Sequence, residues 1–253
     1  MPNAQGPVYP PKRMIQTPVP IRDVIERLEL VYGRPRHIAR FEPMDELVSC
    51  IMSQHTSDAN SFPAFTKLKE AFPTWEAVVQ AGPERLADVI RKAGLANQKA
   101  KNIVACLNRI YADVGAHSID HLRNMPTLDA RRWLTDLPGV GPKTASIVLC
   151  FSMGRETIPV DTHIYRVSWR IGILPEGIGE VKAHDVLLDL VPHDLAFRYH
   201  IDLIQHGRVV CRAPLPNCGA CPISDLCQWF SKGGPDKRKT EIAASRKKVS
   251  KGK

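Results

Sequence analysis

Apolar residues recur along this 253-residue chain at the three-to-four spacing of helices, and strict alternation is scarce. From Pro20 to Gly33, the residues Ile21, Val24, Ile25, Leu28 and Val31 fall on one helical face. The stretches 44–52 and 83–94 repeat the pattern, the second opening on Pro83 and closing on Gly94. A longer amphipathic helix is expected over 99–115. The segments "LDARRWLTDL" (128–137) and "PKTASIVLCFSMG" (142–154) flank a glycine turn. Further helices are expected over 162–172, 179–191 and 194–209. The pattern predicts an all-α protein without internal repeats between its two ends.

Charge changes this picture only at those ends. The first twenty residues hold six prolines and are expected to form a disordered leader, 1–20. From Ser231 to Lys253, nine Lys or Arg face only Asp236 and Glu241, a net charge of +7. This stretch is expected to be a disordered basic tail. Lys12 and Arg13 supply the rest of the chain's +9, so 21–230 sums to zero. A basic tail serves as a solubilising arm or a nonspecific nucleic-acid arm, and bulk charge alone does not separate the two. No apolar run is long enough to span a bilayer, and the leader lacks a signal-like apolar core. No membrane partner is expected. A cytoplasmic protein is, and in that compartment disulfides rarely persist.

Two short stretches carry candidate chemistry. In "LPGVGPKTA" (137–145), Gly139 and Gly141 permit a tight left-handed bend, and Pro142 opens the next helix. Backbone N–H groups beside a helix start can hold a phosphate without reading a base. An ordinary helix–helix connection has the same sequence. The second stretch, "VVCRAPLPNCGACPISDLC" (209–227), holds Cys211, Cys218, Cys221 and Cys227, separated by six, two and five residues. Four cysteines suit tetrahedral zinc or an iron–sulfur cluster. Structural zinc usually shows two tight pairs, and only Cys218 and Cys221 form one, so the cluster is the better fit. Cys50, Cys106 and Cys150 lie on apolar helical stretches and read as buried free thiols.

"LPGVGPKTA" resembles the helix–hairpin–helix of the endonuclease III branch of DNA glycosylases, within the HhH-GPD superfamily. "VDTH" (160–163), eighteen residues beyond Lys143, is similar to the loop that carries that superfamily's catalytic aspartate, here Asp161. The cysteine spacing matches the family's [4Fe–4S] loop. "MSQHTSD" (52–58) and "GLANQKAKNI" (94–103) also look like family segments, so the resemblance covers roughly 21–230.

The resemblance implies two helical lobes with a DNA-binding groove between them. One is a six-helix barrel over about 36–155 that ends in the hairpin. The other joins 21–35 to 156–230 and holds a [4Fe–4S] cluster on Cys211, Cys218, Cys221 and Cys227. Lys143 takes the position of the nucleophilic lysine, where a dry pocket and the helix N-terminus would both favour the neutral amine. Asp161 would stabilise positive charge on the sugar; taken singly, it also reads as a helix N-cap. Gly139, Val140, Gly141, Lys143 and Thr144 would contact the DNA backbone. Gln54 or His55 on one loop, and Leu95 on another, would fill the gap left by an extruded nucleotide. His55 stands where the family often has glutamine, and Ala96 replaces an aromatic.

The implied activity is that of a bifunctional glycosylase and abasic-site lyase. It would act as a monomer on double-stranded DNA bearing a damaged pyrimidine or an abasic site. Adenine-specific relatives carry a glutamate where this chain has Cys50, and thymine-mismatch relatives lack the lysine. A mismatch glycosylase, a noncatalytic hairpin protein and a zinc-stabilised scaffold are the alternatives.

Overall fold

The computed structural model describes residues 19–251, so nearly all of the expected leader lies outside the described residues. Every regular element among them is helical. In chain order these are α1 (Ile21–Tyr32), α2 (Pro43–Ser53), α3 (Asp58–Ala71), α4 (Trp75–Val89), α5 (Ala96–Val114) and α6 (Thr127–Thr135). They are followed by α7 (Pro142–Ile147), α8 (Thr162–Ile171), α9 (Glu180–Leu190), α10 (Ala196–Val209), α11 (Gln228–Ser231) and α12 (Gly234–Lys251).

The chain divides into two compact units. The first, His37–Pro159, contains α2 to α7 around one apolar core. Leu47, Ile51 and Met52 of α2 meet Ile103 and Leu107 of α5 there, all fully buried. The helix expected from Pro83 is the second half of α4. Gly82 at φ 77° breaks that helix, and Pro83 restarts it. The helix expected over 142–154 is α-helical only to Ile147 and then loosens into a π-helical turn over Val148–Ser152. Buried Arg155 donates to the carbonyls of Leu122 (3.1 Å), Arg123 (3.1 Å) and Met125 (2.8 Å), and to Thr127 Oγ1 (2.7 Å). It thereby ties together the backbone just before α6.

Within the described residues, the second unit comprises 19–36 and 160–251. Here α1 packs on α10, and α10 on α8. Ile21, Val24, Ile25 and Leu28 are buried as the period requires, but Val31 is 58% exposed, because the apolar face ends one turn earlier. Glu29 and Arg198 form a two-pronged ion pair joining α1 to α10. The stretch expected to be a disordered tail is the helix α12 from Gly234 onward. Lys239 pairs with Asp236 (3.2 Å) and Arg238 with Glu241 (2.7 Å), each one helical turn apart. Gly234 lies so close to the Trp229 indole that a Cβ there would meet it at 2.2 Å.

One buried carboxyl gives this unit a pH dependence. Asp202 of α10 is 1% exposed, and its Oδ2 has no hydrogen-bond partner among the described residues. Burial pushes its pKa up from 3.8 to about 7; the Glu29 charge adds to this and Arg198 opposes it. Between those values the folded chain holds a proton that the unfolded chain has lost. Stability is therefore full below the lower value, falls as pH rises, and levels off above the upper one. Asp202→Asn should leave urea stability little changed at pH 4 and raise it at pH 8, by roughly 2 kcal/mol. Equal effects at both pH values would contradict this assignment.

Candidate active site and cysteine pocket

The glycine turn joins α6 to α7 as a short hairpin. Gly139 adopts φ 76°, whereas Gly141 is extended at φ −96° and ψ 176°. Only the first glycine makes the left-handed bend, a correction to the expectation for both. Gly139 is also needed for space, because a Cβ there would meet the Asn102 side chain on α5 at 2.9 Å. The Val140 N–H is already spent on the Leu137 carbonyl at 3.1 Å, and its side chain is buried. Val140 therefore has no N–H to offer a phosphate. Thr144 is buried too.

A second loop of the same unit meets this hairpin. Gln54, which ends α2, donates through Nε2 to the Gly139 carbonyl at 2.9 Å. Its neighbour His55 is exposed. His55 (φ 53°) and Leu95 (φ 49°) are the non-glycine residues with positive φ among those described. Left-handed backbone at a branched or bulky residue costs on the order of 1 kcal/mol, and such strain collects at ligand-contacting positions. Leu95 is also 62% exposed just before α5. Both residues thus present side chains to solvent from strained turns. Gln54 is held by the hairpin.

Lys143 lies in the first turn of α7, one residue after Pro142, with its side chain exposed. Its charge reaches Cys50, which is 4% exposed on α2. Burial pushes the Cys50 thiol far up, and Glu46 pushes it further. Cys50 donates weakly to Glu46 Oε1 at 3.5 Å, and Glu46 is ion-paired with Arg40. This cluster offers no free acid. Cys106 and Cys150 are likewise buried thiols, pushed up to about 12 by burial.

In the second unit, Asp161 is the N-cap of α8. Its Oδ1 accepts from the N–H groups of His163 and Ile164, both at 2.8 Å. These two bonds fix the carboxylate's orientation and leave Oδ2 outside the cap.

Cys211, Cys218, Cys221 and Cys227 line one pocket enclosing about 330 Å³, part of it open to solvent, together with Arg170 and His206. Among the described residues, no three His, Cys, Asp or Glu side chains gather closely enough to hold a single metal ion. The four sulfurs surround a volume rather than a point. Burial and the other three cysteines' charge push Cys221 up to about 12; burial and Cys211 do the same in direction for Cys218 and Cys227. Cationic metal among these sulfurs would act against that shift and favour the thiolates. Arg170 braces the rim, donating to the Arg212 carbonyl at 2.9 Å, lying 3.4 Å from Cys211 Sγ and stacking on Trp229.

Two functional-looking groups escape a sequence reading based on motifs. Arg170 resembles any last-turn arginine. Lys99 leaves a signal, because it occupies the apolar face of α5 in register with Ala100, Ile103 and Cys106.

Residues 48–193 match the model of the HhH-GPD superfamily base excision DNA repair proteins. Endonuclease III of Thermotoga maritima is 32% identical over 213 residues, covering 83% of this chain and 95% of that protein. Endonuclease III of Escherichia coli K12 is 36% identical over 190 residues, covering 75% of this chain and 85% of that protein. A solved structure of a trapped endonuclease III–DNA covalent intermediate superposes with a TM-score of 0.70 at 28% identity. It covers 84% of this chain and 96% of that one. The chain belongs to the HhH-GPD superfamily of base excision DNA repair glycosylases, in its endonuclease III branch.

Proposed function

We propose that the chain removes oxidised or fragmented pyrimidines from duplex DNA and cuts the resulting abasic strand, with Lys143 as nucleophile and Asp161 as the assisting carboxylate. The observation that carries this reading is the exposed Lys143 side chain, in the first helical turn beyond the hairpin. The neutral amine attacks C1′ as the base–sugar bond breaks, and the departing base takes up a proton. Opening of the sugar gives an iminium between Nζ and C1′. The iminium acidifies C2′; loss of that proton expels the 3′ phosphate, and water then releases the lysine. Asp161 stabilises the positive charge that builds on the sugar and relays a proton during attack.

Cys50 favours this over an adenine-mismatch activity. A buried thiol raised by its surroundings cannot protonate a leaving base. Exposed Leu95 and His55, on their strained turns, would fill the space behind the extruded nucleotide. Cleavage of duplexes containing thymine glycol, an abasic site or an A·G mismatch tests the reading. The first two should be cut and the third left intact; cleavage at the mismatch alone would favour the rival glycosylase.

The cysteine pocket would hold a [4Fe–4S] cluster, which when bound supplies a structural cross-link to the second unit. A volume ringed by four sulfurs suits a cubane better than one zinc ion. We assign the protein as a monomer on DNA. The loop between Cys211 and Cys218 carries Arg212 as its one basic residue, so α12 is the better source of phosphate contacts. Replacing Lys237, Arg238 and Lys239 of α12 with Gln should weaken DNA binding. It should also flatten the plot of log affinity against log salt, by up to about 0.9 for each phosphate the variant no longer neutralises. An unchanged slope would exclude α12 from the interface.

A further inference from the structure

Lys99 makes two contacts that a helix-surface lysine does not make. Its side chain is buried at 3% exposure, and Nζ donates to the Met52 carbonyl at 2.7 Å and to the Ala93 carbonyl at 2.7 Å. Met52 lies in the last turn of α2, three residues before His55. Ala93 lies two residues before Leu95, on the turn that leads into α5. One ammonium thus ties together the roots of the two loops whose tips hold the strained residues. Neither carbonyl belongs to Lys99's own helix. The cation has no carboxylate partner in these contacts, and burial pushes its pKa below the usual lysine value. A charge kept in such a place at a desolvation cost, where Leu or Met would pack, points to a use beyond stability.

We propose that Lys99 is a positioning residue for base extrusion, holding the His55 and Leu95 turns at a fixed separation so that both side chains enter the duplex together. Lys99 touches neither DNA nor the reacting atoms. It acts through the two loops, and its helix also supplies Asn102, against which Gly139 of the hairpin rests. The clamp therefore sets two of the three DNA-facing loops of the first unit against the helix that braces the third. The inference rests on the Lys143 lyase reading and extends it.

The test compares abasic-site cleavage by the full-length protein on duplex DNA and on a single-stranded oligonucleotide, where no nucleotide has to leave a stack. Lys99→Met should lower duplex cleavage by about tenfold to a hundredfold, the scale of a small misplacement. Single-strand cleavage should remain within about twofold of wild type. A merely structural lysine would depress both substrates alike, and that result would overturn the proposal, as would full activity on the duplex. Lys99→Arg keeps a buried cation and serves if the Met variant does not fold; it should lose duplex activity selectively but less. In a background carrying both His55→Ala and Leu95→Ala, either substitution should add little further loss, because both loops it positions are already blunted, and a fully additive loss would contradict the mechanism. If wild-type protein forms no borohydride-trapped adduct on either substrate, the lyase reading fails, and that outcome is distinct from failure of the clamp.

Discussion

Lys143→Ala should abolish the borohydride-trapped adduct with abasic DNA and lower strand cleavage by roughly a thousandfold or more, the scale seen when an activated nucleophile is removed. DNA binding should change far less. The side chain is exposed and lies outside the apolar core, so its loss removes chemistry rather than fold. Pro142 starts the helix, and Gly139 shapes the turn, independently of the residue between Pro142 and Thr144. Lys143→Gln, which keeps length without a nucleophilic amine, should behave like Ala. Adduct formation surviving at wild-type level in either variant would remove Lys143 from its assigned role.

The largest effect on stability is expected at the cysteine pocket. Cys227 is 9% exposed between α11 and the pocket wall, with Sγ 3.3 Å from the Arg170 carbonyl. Cys227→Ala should yield protein with less iron and weaker brown colour. The second unit should unfold several kcal/mol more easily, because a group bound only by the folded state contributes its binding energy to folding. Arg170, Trp229 and Gly234 lie side by side at this rim, so loosening should spread into the start of α12. Iron analysis with thermal unfolding checks both parts. Stoichiometric zinc and no iron in the wild type would sink the cluster assignment.

Much of this is legible from residues alone, for identifiable reasons. Period and punctuation place most helices to within a few residues, because Ile21, Val24, Ile25 and Leu28 do face a core and Pro142 does open α7. The helix α3 gives a weak signal, since Pro63 interrupts its interior and few of its side chains are buried. The α12 stretch reads as disorder because few of its described side chains are buried; its charges pair along the helix instead. The distinction between Gly139 and Gly141 lies beyond the sequence, as both positions permit the bend and only one takes it. The Lys99 clamp depends on carbonyls far apart in sequence, and no local pattern encodes such a meeting. Its one trace is a lysine in an apolar register.

The most direct measurement is peptide mapping of the borohydride-trapped complex between wild-type protein and an abasic duplex. One DNA-derived adduct is expected, on the peptide containing Lys143. An adduct on any other lysine, or no adduct from protein with its full iron content, would contradict the assignment of Lys143 as nucleophile.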